Sequence, residues 1–259
     1  MDSILLVKEN GVAYLTLNRP KVFNSMDTDM RKRFLDALDD CQTDPSVRAV
    51  CITGEGKGFC AGQDLTEASN SDIPLSFQDV LTREYNPIVV KIRALEKPVI
   101  AAINGVAAGA GANIAFACDI VVATESATFI QSFSKIGLIP DLGGTWILPR
   151  LVGFARASAL MMLGDKVNAR EAENLGMIYK YFSDDTFKNE TKALAENLAK
   201  MPTRGLALTK KALNESIFAD FEKQLAREAN FQSQAGATED YTEGVNAFIQ
   251  KRRPEFKGR

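Results

Sequence analysis

Residues 98–118, PVIAAINGVAAGAGANIAFAC, carry no charged side chain. A run of that length is close to a bilayer span. Its residues forbid a single helix: Pro98 opens it, and Asn104, Gly105, Gly109, Gly111 and Asn113 interrupt it. The run reads as a fully buried strand over 97–103, a glycine-rich turn over 105–111, and a buried helix ending near Asp119. A strand without alternation that leads into a helix is the unit of a parallel sheet covered on both faces.

Similar units flank it. Residues 4–7 and 12–17 read as a hairpin through Asn10-Gly11, a strong turn signal between apolar runs. Asp27 is placed to cap a helix on which Met30, Phe34, Leu38 and Cys41 share one face, stopped at Asp44-Pro45. A buried strand follows over 48–53, then a loop over 54–63. Residues 66–80, polar and with Pro74, read as a flexible flap. A helix over 81–95 is expected to kink at Pro87, and a further strand is expected over 120–123. Beyond residue 150 the pattern is mainly helical. Asn168-Ala169-Arg170-Glu171 has capping-box form, and Pro202 separates two helices. A last helix over 240–252 carries Val245, Phe248 and Ile249 on one face. The alternation of strand and helix predicts an α/β fold around a parallel sheet.

The chain has 259 residues, a formal net charge of −2, 46% hydrophobic and 25% charged residues. That suits one large α/β domain, or one with a helical appendage, and excludes wholesale disorder. Mixed charge of this kind gives no bulk grip on nucleic acid. Histidine is absent. Ser-His-Asp and Cys-His mechanisms, His-ligated zinc and two-His iron sites are thereby excluded. Any general acid or base must be Asp, Glu, Lys, Tyr or Cys. The four cysteines, Cys41, Cys51, Cys60 and Cys118, form no C-x-x-C pair, so neither a zinc ribbon nor a redox motif is supported. Met1-Asp2-Ser3 opens without a signal-peptide pattern, and free thiols suit a reducing cytoplasm.

Three glycine-bearing loops hold the candidate chemistry. The first, GFCAGQDL over 58–65, lies beyond a strand end, where open α/β sheets bind ligands. Alone it is equally an ordinary turn. The second, NGVAAGAGAN over 104–113, joins small residues to a helix N-terminus. Its N–H groups could cradle a phosphate or a developing oxyanion, or its glycines could serve close helix–strand packing. A dinucleotide fingerprint starting at Gly109 fails at Ile114, and no Walker lysine follows. The third, GLIPDLGGT over 137–145, is good turn chemistry, in which Asp141 could bond its own turn. The other reading holds Asp141 among Ile136, Leu138, Ile139, Leu142 and Trp146, where an apolar setting raises a carboxyl pKa and makes a better base.

In content and order the three loops resemble the enoyl-CoA hydratase/isomerase, or crotonase, superfamily. The resemblance runs from LNRP at 17–20 to FIQKRRPEF at 248–256. Within the superfamily, SKIGLIPDLGGTW at 134–146 is most similar to the isomerases that act on the ring-1,2-epoxide of phenylacetyl-CoA. The resemblance implies a spiral of ββα units over 1–200 that holds the CoA and acyl site. It implies a helical C-terminal oligomerisation region over 201–259, and a homotrimer or dimer of trimers. The implied substrate is an acyl-CoA, with CoA part of the substrate, no separate cofactor or metal, and no nucleic-acid or membrane partner. Carried over position by position, the oxyanion hole falls on the backbone N–H groups of Gln63 and Ala110. Gly109 and Phe133 are counted with the substrate-binding positions. Ala61, Asp64 and Leu65 fall near the adenine, Lys21 and Val22 near the nucleotide, and Phe248 and Lys251 on the last helix. Each lysine is equally readable as a solvated surface charge.

The departures from the family pattern carry the functional expectation. Hydratases of the family activate water with two glutamates, and the matching positions are Asn113 and Phe133, neither of which titrates. Asp141 remains, where several family isomerases carry their acid. The expectation is an acyl-CoA isomerase with Asp141 as proton shuttle and Gln63 and Ala110 as oxyanion donors, converting ring-1,2-epoxyphenylacetyl-CoA to the oxepin. The alternatives are a Δ3,Δ2-enoyl-CoA isomerase of fatty-acid oxidation, with 66–95 setting chain length, and a non-catalytic acyl-CoA-binding homologue, against which the retained Asp141 speaks. A Rossmann dehydrogenase is a more distant reading.

Overall fold

Asn10 and Gly11 both take left-handed φ, 52° and 78°. A turn of that kind matches the twist of a two-stranded ribbon, and it folds β1 (Ile4–Glu9) back onto β2 (Val12–Leu17), antiparallel. The computed structural model describes residues 2–69 and 76–259. Helix α1 (Thr28–Thr43) starts where the Asp27 side chain accepts from the Met30 N–H, and it buries Met30, Phe34, Leu38 and Cys41. There follow β3 (Ala49–Gly54), β4 (Gly58–Cys60) and α2 (Leu65–Ser69). After α3 (Phe77–Val80) and α4 (Asn86–Ala94) come β5 (Val99–Ile103), β6 (Val106–Ala108) and α5 (Ala110–Ala117). The third unit is β7 (Ile120–Thr124), β8 (Thr128–Ile130), α6 (Gly144–Val152) and α7 (Phe154–Leu163). The chain continues as β9 (Lys166–Asn168), α8 (Ala169–Leu175), β10 (Lys180–Phe182) and α9 (Phe187–Ala199). It ends in α10 (Thr203–Ser216), α11 (Phe221–Gly236) and α12 (Glu239–Ile249).

The large sheet has the order β1-β2-β3-β5-β7-β10, parallel throughout except for the opening hairpin. One face, with Leu15, Leu17, Val50, Ile52, Ala101 and Ile103, packs into the main core with α1, α4 and α5. The other, with Val12, Ala49, Cys51, Ile100, Ala102 and Val122, is covered by Ala195 and Ala199 of α9. Burial of both faces is why the strands read as unbroken apolar runs.

A second sheet, β4-β6-β8-β9, stands beside it, with β9 antiparallel to β8. Two of its three-residue strands, β4 and β6, lie where the residue pattern suggests only loops, over 54–63 and 105–111. Three residues are too few for alternation to register, and glycine weakens what signal there is. Each of three successive units thus gives one strand to each sheet before its helices, the crotonase spiral that the resemblance implied. The uncharged run 98–118 becomes β5, β6 and α5. Among the described residues no helix is long and apolar enough to cross a membrane.

Two further expectations are modified. The segment read as a flap falls partly on residues 70–75, outside the described residues; α2 and α3 lie on either side. The helix expected over 81–95 is not simply kinked at Pro87. Residues Leu81–Tyr85 form a π turn, with the Asn86 N–H reaching the Leu81 carbonyl, and Pro87 lies in the first turn of α4. Pro87 has no N–H to offer the preceding turn, and widening that turn relieves the ring's clash with it.

Candidate active site

The three loops meet where the second sheet's strands end. Seven of the positions carried over from the family, Ala61, Gln63, Leu65, Gly109, Ala110, Phe133 and Asp141, line one cavity of about 590 Å³. That is an ordinary volume for a small-ligand cleft. Most of its remaining wall is apolar, from Phe77, Val80 and Leu81 on one side to Ile136, Leu138, Ile139 and Leu142 on the other.

The first expected donor, the Gln63 N–H, is placed by backbone pairing. Met26 N–H donates to the Gly62 carbonyl at 2.8 Å, and Asp64 N–H donates to the Met26 carbonyl at 3.2 Å. Alternate residues of a paired strand face opposite ways, so the Gln63 N–H is turned from Met26. The second expected donor is the N–H of Ala110, which as the first residue of α5 has no partner within the helix. The two come close together: a Cβ built on Gly62 would stand 3.3 Å from the Ala110 nitrogen. Gly109, just before the helix, has φ 52° and ψ −124°, a conformation open essentially to glycine alone. A Cβ on Gly111 would lie 2.3 Å from the Cys60 carbonyl oxygen, so α5 sits directly on β4. Close helix–strand packing is therefore realised in this loop, and Gly109 and Ala110 at the helix start line the cavity.

Asp141 projects from the third loop. Burial pushes its carboxyl up to about 6, and its Oδ1 is buried with no hydrogen-bond partner among the described residues. Its backbone is pinned twice: the carbonyl accepts from the Gly144 N–H at 2.8 Å and from Asn113 Nδ2 at 2.9 Å. The next residue, Leu142, is held at φ 50°, a strained setting for a branched side chain. Asp141 is the one carboxylate that lines the cavity among the described residues.

Asn113 lies fully buried behind this loop rather than in the cavity wall. Gln131 Nε2 donates to its Oδ1 at 2.9 Å, which fixes the amide so that Nδ2 faces Asp141. Phe133 is buried and does line the cavity.

One expectation needs correction, and five positions carried over to the CoA site lie outside this cavity. Trp146 is not among the residues around Asp141: it stacks on Phe218 at 5.7 Å, with the Arg150 guanidinium 4.1 Å from its ring centre. Asp64 does not line the cavity; its carboxylate accepts from Arg19 Nη1 at 2.9 Å and from the Thr66 N–H and hydroxyl at 3.1 and 2.5 Å. Lys21, Val22, Phe248 and Lys251 are exposed and lie outside the cavity of the single chain. Conversely, the loops gave no hint of Tyr85 and Lys135, which also line it. Tyr85 arrives from a helix with no chemical signature, and Lys135 sits in a 3₁₀ turn over Ser132–Ile136 whose approach depends on β8. All four cysteines are free and buried, and burial pushes the thiols of Cys51 and Cys60 up to about 12. Among the described residues no cluster of acid or cysteine side chains could hold a metal ion.

Gln63, Ala110 and the buried carboxyl of Asp141 thus line one cavity on a crotonase spiral. The chain belongs to the enoyl-CoA hydratase/isomerase family, whose model matches residues 7–259. It is 44% identical over the full length of both chains to the 1,2-epoxyphenylacetyl-CoA isomerase of Escherichia coli (strain K12). It is 43% identical, over 96% of this chain and 95% of the other, to a Rhodobacter capsulatus protein described as "Probable enoyl-CoA hydratase". The crystal structure of an enoyl-CoA hydratase from Mycobacterium smegmatis superposes with a TM-score of 0.93 at 32% identity, covering 99% of each chain.

Proposed function

We propose that this enzyme is an acyl-CoA isomerase that uses one carboxylate, with ring-1,2-epoxyphenylacetyl-CoA as its substrate and the oxepin-CoA as product. The observation that carries this reading is the cavity's single carboxylate, buried and unpaired at Oδ1, in the same cavity as the N–H groups of Gln63 and Ala110. The thioester oxygen accepts from those two donors. Asp141 takes a proton from the acyl group, and the electron pair left behind moves onto the thioester oxygen. One such donor is typically worth about 2.7–4 kcal/mol in the transition state. The proton returns to the substrate, so the product is an isomer. On a 3-enoyl-CoA the same transfer, from C2 to C4, moves the double bond to the 2-position. Water addition needs a second positioned acid or base, and Asn113 and Phe133 supply none. The chemistry calls for no metal or redox cofactor.

In this reading residues 1–200 carry the site and 201–259 serve assembly into trimers or pairs of trimers in the cytoplasm. Lys21, Val22, Phe248 and Lys251 meet the nucleotide end of CoA outside the acyl cavity, and Ala61 and Leu65 stand at its entrance. The test is a panel of crotonyl-CoA, a 3-enoyl-CoA and enzymatically generated epoxyphenylacetyl-CoA, offered to wild type and Asp141→Asn. Epoxide turnover that Asp141→Asn abolishes supports the reading. Turnover of the 3-enoyl-CoA alone moves the enzyme to fatty-acid substrates, and robust hydration of crotonyl-CoA overturns the one-carboxylate mechanism.

A further inference from the structure

Arg31, on α1, is only 2% exposed yet carries a full charge at any ordinary pH. Its guanidinium is engaged along every edge. Nε donates to Glu84 Oε2 at 2.8 Å, and Nη2 lies 2.6 Å from the same oxygen and donates to Thr28 Oγ1 at 2.7 Å. Nη1 reaches three acceptors: the Met26 carbonyl at 3.0 Å, the Tyr85 hydroxyl at 3.2 Å and Glu67 Oε2 at 3.3 Å. Tyr85, whose ring centre lies 4.7 Å from the guanidinium carbon, also donates its hydroxyl to the Met26 carbonyl at 3.2 Å.

Two features of this cluster bear on the cavity rather than on the core at large. Met26 is the residue whose N–H and carbonyl hold Gly62 and Asp64, and thereby aim the Gln63 N–H. The Met26 carbonyl thus takes donors from Asp64, Arg31 and Tyr85 at once. The two carboxylates on Arg31 come from α2 and from the π turn, the segments that bring Leu65, Leu81 and Tyr85 to the cavity wall. Glu67 is tied to α1 a second time, accepting from the Thr28 N–H at 3.0 Å.

We propose that Arg31 is a positioning residue for the oxyanion hole: through the Met26 carbonyl it fixes the strip that aims the Gln63 N–H, and through Glu67 and Glu84 it clasps the acyl wall to the same point. The inference rests on the acyl-CoA reading above. It predicts that acyl binding and oxyanion polarisation are mechanically linked, because wall and donor share one guanidinium. A lysine cannot replace it, since a single ammonium does not span acceptors spread around a planar fork.

The test uses phenylacetyl-CoA carrying ¹³C at the thioester carbonyl, which has no epoxide to rearrange. Isotope-edited infrared spectra of the bound thioester report how strongly its carbonyl is polarised. Wild type should lower the carbonyl stretch relative to the free thioester. Arg31→Lys and Tyr85→Phe should weaken that lowering and reduce kcat about tenfold on whichever substrate the panel identifies, with KM within about twofold. Glu84→Gln keeps a hydrogen-bond acceptor without the charge, and should give a smaller change in the same direction. If Arg31→Lys does not fold, Tyr85→Phe and Glu84→Gln carry the same expectation. Folded variants with the wild-type carbonyl stretch and kcat overturn the proposal and leave Arg31 a support of the fold. Wild type that leaves the stretch unshifted, or does not bind the thioester, removes the acyl-CoA reading and the proposal with it.

Discussion

Asp141 shows how much the surroundings of one side chain decide. Its carboxyl is pushed by burial from the ordinary 3.8 up to about 6. A general base works when ionised, so kcat/KM should rise with pH through about 6 and level off above it. Asp141→Asn should lower kcat by about 10²–10⁴ and leave acyl-CoA binding in place. The same shift has a consequence for stability. The folded chain holds this proton more tightly than the unfolded chain, so the benefit is full below the unfolded value near 3.8 and is lost as pH rises through about 6. Urea unfolding of wild type and Asp141→Asn at pH 4 and pH 8 should show the comparison moving against wild type by up to about 3 kcal/mol at the higher pH. A pH-independent difference would mean that the carboxyl titrates normally. The sequence marked Asp141 as a candidate, but it left open a carboxylate that merely bonds its own turn. The structure leaves Oδ1 buried without a hydrogen-bond partner among the described residues, while the carboxyl also meets its own backbone N–H.

Among the elements, α5 carries the tightest constraint. Its first turn must lie on β4 for the Ala110 N–H to reach the cavity, and Gly111 permits that approach. Gly111→Ala places a methyl 2.3 Å from the Cys60 carbonyl oxygen. Backbone cannot yield as a flexible side chain would, so the variant should lose at least about 1–3 kcal/mol of stability. Activity in the folded fraction should fall with it, which thermal unfolding and turnover at a permissive temperature would check together. Asn113→Ala removes the bond that pins the Asp141 carbonyl and leaves Gln131 Nε2 without its acceptor. About 1–3 kcal/mol of destabilisation is expected from such a buried polar loss. The hairpin, α1 and the strands β3, β5 and β7 were legible because turn chemistry, capping and apolar runs act locally, whereas β10, in a stretch read as mainly helical, was not. The second sheet was not legible in residue periodicity, since each of its three-residue strands is held by neighbours more than twenty residues away.

For the molecule as a whole, the exposed apolar surface gathers on the helices. Phe218 and Phe221 are 78% and 76% exposed, and Phe248 and Ile249 on α12 are 85% and 71% exposed. A groove of about 670 Å³ between α10 and α11, lined by Leu208, Leu213, Leu225 and Phe231, adds to this surface. Apolar patches of this kind mark contact surfaces rather than solvent-facing ones. If they assemble the enzyme, light scattering should give a multiple of the 28.3 kDa chain mass. Phe248→Asp with Ile249→Asp should then lower the assembly state without unfolding the chain. A monomeric wild type would refute the assembly role of 201–259.

By itself the sequence determined the chemistry that is excluded and the residue types that remain. With no histidine, and with Asn113 and Phe133 where the family resemblance puts the hydratases' glutamates, Asp141 was left as the expected proton shuttle. It also determined the parallel sheet, because burial on two faces leaves its mark in unbroken apolar runs. The tertiary structure alone decided that Asp64 faces Arg19 and Thr66 rather than the cavity, and that Trp146 stacks on Phe218. It alone placed Asn113 behind the Asp141 loop, and Arg31 under the Met26 carbonyl. Each of these depends on contacts between distant segments, and no local preference for turn, cap or period encodes which way a side chain will face once two such segments meet.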